Sequence, residues 1–220
     1  MTGHLGLSGL GVVVGLKAEA KLARRLFPAA LVGISGATRA GADRAVSGLV
    51  AQGATRLLSF GLAAGLDPAL HPGDLLVPDA ILVDGRHLAT DPSLRSLLGP
   101  GATGPLLHSD VLVASSAAKA DLLARTGCRS LDMESGPVAL AAEAAGLPFA
   151  VLRAVCDPAE RTLPPAACIA LQPDGTLQIV NLSRSILRQP SQIAALLALG
   201  RDASRAKTAL LKSRTGSLDY

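Results

Sequence analysis

Aromatic residues are nearly absent from this chain of 220 residues, which has three phenylalanines, one tyrosine and no tryptophan. Proteins that bind single-stranded nucleic acid need aromatic rings on which the bases stack. The composition therefore disfavours that class, although the isoelectric point is near 9.3. The net charge of +4 is modest, and the basic residues form no clear stripe that would follow a phosphate backbone. We predict no nucleic-acid partner.

Cysteine and histidine are also scarce. The three cysteines, Cys128, Cys156 and Cys168, are odd in number and lack the CxxC spacing, which indicates free thiols in a reducing cytoplasm. The four histidines are scattered along the chain without the spacing of metal ligands. We therefore predict neither a metal site nor a cofactor.

Long hydrophobic runs are missing as well. No uncharged apolar segment reaches the roughly 18 residues that a membrane-spanning helix needs. The longest, Leu5–Leu16, is interrupted by glycines, ends at Lys17 and lacks the basic start and cleavage site of a secretion signal. It predicts a buried strand in a cytoplasmic protein.

Short β-rich runs alternate with alanine-rich helical stretches, and 49% of the residues are hydrophobic. This pattern predicts an α/β fold with a mixed central sheet flanked by helices. The predicted strands are 10–15, 30–34, 57–60, 75–83, 130–132 and 149–155, and the predicted helices are 18–26, 39–52, 116–124 and 134–145. A glycine-rich loop is expected at 61–65. Residues 1–180 would form one domain, and 181–220 a basic helical extension.

Ionisable residues stand at the ends of several predicted strands: Glu19, Asp132, Glu134, Arg153 and Asp157. In open α/β sheets, ligands bind beyond the carboxyl ends of the strands, and a partly buried charge there must be paired or used. Each acid also has a plain structural explanation. Asp132 is better explained as a helix cap, and Asp157, which precedes a proline, could begin a turn.

Five segments at these residues resemble, in order, the nucleoside phosphorylase and nucleosidase superfamily, and within it the methylthioadenosine/S-adenosylhomocysteine nucleosidases. The segments are 11–20 (GVVVGLKAEA), 59–66 (SFGLAAGL) with 72–77 (PGDLLV), 109–113 (SDVLV), 132–135 (DMES) and 151–157 (VLRAVCD). The resemblance covers residues from about 10 to 160. It implies a three-layer phosphorylase/hydrolase-like fold.

The C-terminal part, from 156 (CDPAERTLPPAA) through a Pro-Asp-Gly turn to a basic tail, is similar to the hopanoid-biosynthesis-associated branch. That resemblance implies adenosylhopane as the substrate, an adenosine that carries a triterpenoid at its 5′ carbon. The products would be adenine and ribosylhopane, or phosphoribosylhopane if phosphate is the co-substrate.

The resemblance also implies a role for each site residue. Cleavage of the N-glycosidic bond needs an acid for the leaving purine and a nucleophile on the opposite face. Asp157 would protonate the adenine, which requires it to carry a proton at neutral pH. Glu134 would hold the ribose hydroxyls with Met133 under the sugar, and Glu19 would activate water.

Further substrate-binding positions follow from the same resemblance. They are Arg153 on the last strand, Leu62 and Ala63 in the glycine-rich segment, Leu112 and Val113 in the base-contacting segment, and Leu16 after the first strand. Leu62 replaces a serine that orders the water, Leu112 an aromatic residue, Cys156 a serine and Leu16 a methionine. Considered by itself, Leu16 is better explained as a core residue.

Hydrolysis is preferred over phosphorolysis because the positions of the phosphorylases' arginines hold Glu19 and Ser59. A carboxylate facing an incoming phosphate is repulsive, and no first-loop arginine offers a bidentate clamp, although Arg39 or Arg153 could supply a cation. A phosphorylase of the same substrate, a methylthioadenosine/S-adenosylhomocysteine nucleosidase and a non-catalytic lipid or nucleoside binder are the alternatives. A homo-oligomer is expected from the resemblance.

The tail from 181 to 214 combines apolar and basic residues and has few acidic ones. A helix with one apolar and one basic face can lie on an anionic membrane, or it can pack on the domain with its basic face in solvent. Both interpretations stay open. In the first, the tail would place the protein on the inner face of the membrane.

Overall fold

The computed structural model describes residues 8–36, 38–170, 189 and 191–213, and the side chains of 169 and 170 are outside this description. The strands are β1 Leu10–Val14, β2 Leu31–Ile34, β3 Arg56–Gly65, β4 Leu75–Leu76, β5 Ala80–Val83, β6 Arg86–Ala89, β7 Leu106–His108, β8 Ser130–Asp132 and β9 Phe149–Asp157. The helices are α1 Lys17–Leu26, α2 Arg39–Ala51, α3 Pro92–Leu98, α4 Ser116–Thr126, α5 Ser135–Ala144, α6 Pro165–Ala170 and α7 Gln192–Lys212.

The strands form one mixed sheet in the order β2-β1-β3-β8-β7-β5-β6, and β9 pairs with β3 and with β4. The pairs of β1 with β2, β1 with β3 and β3 with β9 are parallel, whereas β3 and β8 are antiparallel. One apolar cluster, with Val14, Phe60 and Leu152, packs against α1 and α7. A second, with Val13, Leu57 and Val151, packs against α2 and α5. The predicted α/β fold, with a mixed sheet between helices, is confirmed.

Two strand predictions are wrong in detail. The small-residue segment 61–65 was expected to be a loop, but it continues β3 to Gly65 because it pairs with β9 on one side and β8 on the other. The stretch 75–83, expected as one strand, is split into β4 and β5. Pro78 lies in the break, and a proline cannot donate to a strand ladder.

The C-terminal helix α7 packs on the domain. Asp202, Ala206 and Leu210 on its inner face are buried, and its contacts are mainly with β9. Arg161 fixes the helix to the loop after β9 through a 2.5 Å ion pair with Asp202. The predicted tail residues 181–188, 190 and 214 are outside the described part of the chain. No helix among the described residues is long and apolar enough to cross a membrane.

Candidate active site

Arg153 stands at the centre of a buried polar cluster. It lies in the middle of β9, where it is opposite Gly61 of β3, and its side chain is fully buried. The guanidinium contacts Asp132 at 2.8 Å, Glu134 at 3.1 Å and the Ser59 hydroxyl at 2.9 Å. A buried guanidinium is stable only when it is paired and its donors are satisfied. The site is therefore built around this one cation.

Asp132 has two roles that use its two oxygens separately. Its Oδ1 accepts hydrogen bonds from the backbone N–H groups of Glu134 and Ser135, which begin α5. Its Oδ2 accepts from the Ser135 hydroxyl and pairs with Arg153. The expectation of a helix cap describes only the first role. The ion pair makes Asp132 the residue that orients Arg153.

Glu19 joins the end of β1 to β3 through its carboxylate. Its Oε2 accepts from the N–H groups of Gly15 at 3.1 Å and Leu16 at 3.0 Å, and its Oε1 accepts from the N–H of Leu62 at 3.0 Å. A carboxylate oxygen has two acceptor positions, so Oε2 is saturated and Oε1 has one left. Burial raises the pKa of Glu19, against the lowering effects of Arg153 and these backbone donors.

Glu134 directly precedes α5 and contacts Nη1 of Arg153. Burial raises its pKa to about 8, and the like charges of Asp132 and Glu19 add to this, whereas Arg153 lowers it. Three carboxyl groups thus surround one guanidinium in a buried region. Burial favours the protonated forms of Glu19 and Glu134, and the charge of Arg153 opposes this effect.

Two glycines allow these side chains to approach the backbone. A Cβ atom at Gly61 would collide with Oε1 of Glu19 and with Nη1 of Arg153, and one at Gly15 would lie 2.7 Å from Oε1 of Glu134. Gly61 and Gly15 are therefore part of the site, because any larger residue would displace its charged groups.

The Gly61→Ala variant is expected to lose activity and about 1–3 kcal/mol of stability, since the added methyl group overpacks the cluster. Gly48→Ala is the matched control, because Gly48 lies within α2 and has nothing within 4 Å of its would-be Cβ. That control should gain about 0.5–1 kcal/mol, as alanine favours helices. Urea unfolding of both variants checks the prediction, and equal effects would contradict it.

Asp157 ends β9 after an irregularity in the strand pairing. Val155 is opposite Ala63 and Asp157 is opposite Ala64, so Cys156 is an extra residue, and such bulges redirect side chains next to functional sites. Asp157 is 6% exposed, and its Oδ2 lies 2.7 Å from Nζ of Lys119. Burial raises the pKa of Asp157, and Lys119 opposes this effect.

Sequence reasoning missed Lys119. It lies on α4 in the segment SAAKADLLART and is fully buried. The available signal was its position on the helix, because Leu122 and Leu123, three and four residues later, share its face. A lone lysine on an apolar helix face has to find a buried partner.

The remaining predicted site residues fall into two groups. Leu16 and Leu62 contact Glu19 through their backbones, and Met133 is half-buried between Asp132 and Glu134. Ala63 lies instead in an apolar cluster with Val155, and Val113 packs beside Leu131. Leu112 is 38% exposed. No described contact joins Ala63, Leu112 or Val113 to the cluster around Arg153.

A cavity of about 260 Å³ opens beside Glu19, between α1, β3 and α7. Its lining combines Glu19 with an apolar surface and a basic one, formed by Leu22, Leu62 and Leu210 and by Lys21, Arg25 and Lys207. Glu19 thus lines a space that can hold water or part of a ligand.

Among the described residues, no group of three or more histidine, cysteine, aspartate or glutamate side chains is arranged to hold a metal ion. The described cysteines are free thiols, and burial together with Asp157 and Glu19 raises the pKa of Cys156 to about 12. Cys156 therefore stays protonated and lies within the electrostatic reach of both carboxylates.

Comparison with known proteins agrees with this architecture. A sequence model of the Phosphorylase superfamily matches residues 84–167, and no curated protein sequence matches the chain. Its fold is that of nucleosidases of solved structure. A Helicobacter pylori methylthioadenosine nucleosidase mutant with 5′-methylthioadenosine in its active site has a TM-score of 0.66 and 17% identity over 95% of this chain and 98% of its own.

Two other solved structures are equally similar. The Streptococcus pyogenes S-adenosylhomocysteine nucleosidase in complex with 5-methylthiotubericidin has a TM-score of 0.66 and 18% identity, over 99% of this chain and 100% of its own. The Helicobacter pylori futalosine hydrolase has a TM-score of 0.66 and 18% identity, over 95% of this chain and 97% of its own. At these identities the similarity defines the fold.

Proposed function

We propose that the protein is a purine nucleosidase that hydrolyses the N-glycosidic bond of a 5′-substituted adenosine. The observation that carries this proposal is the buried cluster in which Glu19 and Glu134 lie close to Arg153. Glu19 also lines the cavity, and Asp157 ends β9, the strand that carries Arg153. Proteins of the same fold are, by name, nucleosidases of methylthioadenosine or S-adenosylhomocysteine and a hydrolase of futalosine.

The three carboxyl groups divide the reaction among them. Asp157, whose pKa is raised by burial, gives its proton to N7 of the departing adenine. Glu134 accepts hydrogen bonds from the ribose 2′ and 3′ hydroxyls, with Met133 beneath the sugar. Glu19 holds the attacking water through the free position on Oε1 and takes its proton as the bond to the sugar carbon forms.

Charge supports hydrolysis over phosphorolysis. Arg39 lies between Asp84 at 2.8 Å and Asp110 at 3.1 Å on the surface, and Arg153 is surrounded by carboxyl groups. Neither has an uncompensated charge to offer to phosphate. The basic residues Lys21, Arg25 and Lys207 around the cavity favour the second candidate, a phosphorylase of the same substrate.

Hydrolysis and phosphorolysis are distinguished by measuring adenine release in phosphate-free buffer made with water enriched in the heavy oxygen isotope. We expect release without phosphate and the heavy oxygen on the sugar product. We expect Glu19→Gln to lower the rate by about 100-fold or more, because the water loses its base. Glu143→Gln, a change on the exposed face of α5, is the control. A phosphorylated sugar, or dependence on phosphate, would establish the phosphorylase instead.

For the substrate we propose adenosylhopane, cleaved to adenine and ribosylhopane. The apolar part of the cavity, from Leu22, Leu62 and Leu210, suits the start of a lipid substituent at the ribose 5′ carbon. A preference for adenosylhopane over 5′-methylthioadenosine in kcat/KM is the expected result. The reverse preference would favour a methylthioadenosine/S-adenosylhomocysteine nucleosidase, and no release from any adenosine derivative would favour a non-catalytic binder.

A lipid substrate also gives the basic rim of the cavity a role in membrane contact. Lys21, Arg25 and Lys207 are exposed, and Ile193 and Leu197 of α7 are 46% and 58% exposed. We expect the protein to float with anionic phosphatidylglycerol vesicles and not with neutral ones, because basic residues are attracted to anionic lipid surfaces.

The matched comparison removes three charges at a time. Changing Lys21, Arg25 and Lys207 together to glutamine should abolish flotation, whereas the same change at the distant Arg44, Arg86 and Arg125 should not. Equal flotation of the two triple variants would exclude a role for the rim.

The proposal also includes a homo-oligomer. The mass of the protein in solution, measured by light scattering, tests this.

A further inference from the structure

Lys119 makes a complete set of contacts around the carboxyl group of Asp157. Its ammonium group lies 2.7 Å from Oδ2 of Asp157 and donates to the carbonyl oxygens of Pro158 at 2.9 Å and Arg161 at 3.0 Å. An ammonium group has three hydrogens, so all of its donors are used. The side chain is 0% exposed. Lys119 thus connects α4 to the end of β9 and to the loop that follows β9.

The other oxygen of Asp157 is in the opposite situation. Oδ1 is buried and has no hydrogen-bond partner among the residues that the structure describes. An acceptor left in this state is unfavourable, and a hydrogen-bond donor of a ligand or a proton would satisfy it. The carboxyl group therefore has one oxygen fixed by the protein and one left open.

We propose that Lys119 is a positioning residue for the proposed reaction, which aims Oδ1 of Asp157 at the purine and stabilises the carboxylate that remains after the proton has left. This inference rests on the proposed function. The O–H bond of Asp157 breaks, the proton forms a bond to N7 of adenine, and the negative charge stays on the carboxylate beside the Lys119 ammonium group. The bond between the sugar carbon and the adenine breaks with its electron pair going to the purine, and the oxygen of the attacking water forms the new bond to that carbon while its proton goes to Glu19. Glu19 then releases this proton to solvent and Asp157 takes one up, which restores both groups.

The balance between burial and Lys119 sets the acidity of Asp157. Burial raises the pKa of Asp157, and the nearby ammonium group of Lys119 lowers it. The other groups that face Asp157 are Arg161 and Glu160 in the following loop, Cys156 on β9 and Cys168 on α6. Among the described residues, Lys119 is the cation in direct contact with Asp157, so its removal should change the acidity of Asp157 the most.

The test replaces Lys119 with glutamine, which retains N–H donors for the two carbonyls but has no charge, and with arginine, which retains the charge. We expect Lys119→Gln to lower kcat by about 10- to 100-fold with little change in KM, since the acid is misplaced. The alkaline limb of the kcat/KM profile should move upward by about one to three pH units. Lys119→Arg should retain part of the kcat and part of the original pH profile. Arg125→Gln, on the exposed face of α4, should change neither kcat nor the pH profile.

A second measurement is independent of turnover. The infrared band of the protonated Asp157 carboxyl, assigned by its loss in Asp157→Asn, should persist to higher pH in Lys119→Gln than in the unchanged protein. If the protein releases no adenine but this band moves, the proposed function fails and the coupling of Lys119 to Asp157 stands. An unchanged band and an unchanged pH profile in Lys119→Gln would overturn the inference, and leave Lys119 a structural residue.

Discussion

Asp157→Asn is expected to lower the rate of adenine release by about 100- to 10,000-fold, the usual contribution of a positioned general acid. Asparagine has almost the same shape and can still contact Lys119, but its amide cannot give a proton to the leaving purine. Release of adenine, followed by chromatography at saturating substrate, is the measurement.

Two controls separate lost chemistry from lost structure. Asp121→Asn changes an exposed aspartate of α4 that pairs with Arg125, and it should retain full activity. Calorimetric binding of an uncleavable adenosine analogue to Asp157→Asn should stay measurable. A rate within threefold of the unchanged protein would remove Asp157 from the reaction.

Arg153→Met is expected to destabilise the protein by about 3–5 kcal/mol, the range for breaking a buried ion pair from one side. Asp132, Glu134 and Glu19 all interact electrostatically with Arg153, and the first two form ion pairs with it. Without it, the carboxyl groups must hold protons or repel one another. Urea unfolding at neutral pH measures the loss.

The matched control is Arg39→Met. Arg39 also pairs with two carboxylates, Asp84 and Asp110, but these side chains are 40–63% exposed. Exposed pairs contribute about 0–1 kcal/mol because water screens them. Equal losses in the two variants would mean that the buried cluster has no special electrostatic role.

The central part of the fold could be predicted from the sequence because its signals are local. The run LGVVV of β1 and the run FAVLRAVCD of β9 are apolar and β-rich, and their strands occur where the pattern places them. The predicted strand at 57–60 is shorter than β3 because the small residues that follow are typical of a loop. It continues because the neighbouring strands β8 and β9 supply its hydrogen bonds, which no local pattern records.

The candidate site could also be predicted only in part from the sequence. Glu19, Glu134 and Arg153 were selected as ionisable residues at strand ends, and the structure brings all three together. The double use of Asp132 could not be separated from a cap by sequence, since both roles need the same residue in the same place. Lys119 lies 38 residues before its partner Asp157, so only the packing of α4 on the end of β9 connects them.

Glu134 and Asp157 are the groups on which the whole account depends, because one must hold the sugar while the other protonates the base. A crystal structure with an uncleavable 5′-substituted adenosine tests this most directly. The account predicts the purine N7 within hydrogen-bond distance of Oδ1 of Asp157, and both ribose hydroxyls on Glu134, in a single pocket. A nucleoside bound away from these two carboxyl groups, or carboxyl groups that face separate cavities, would contradict it.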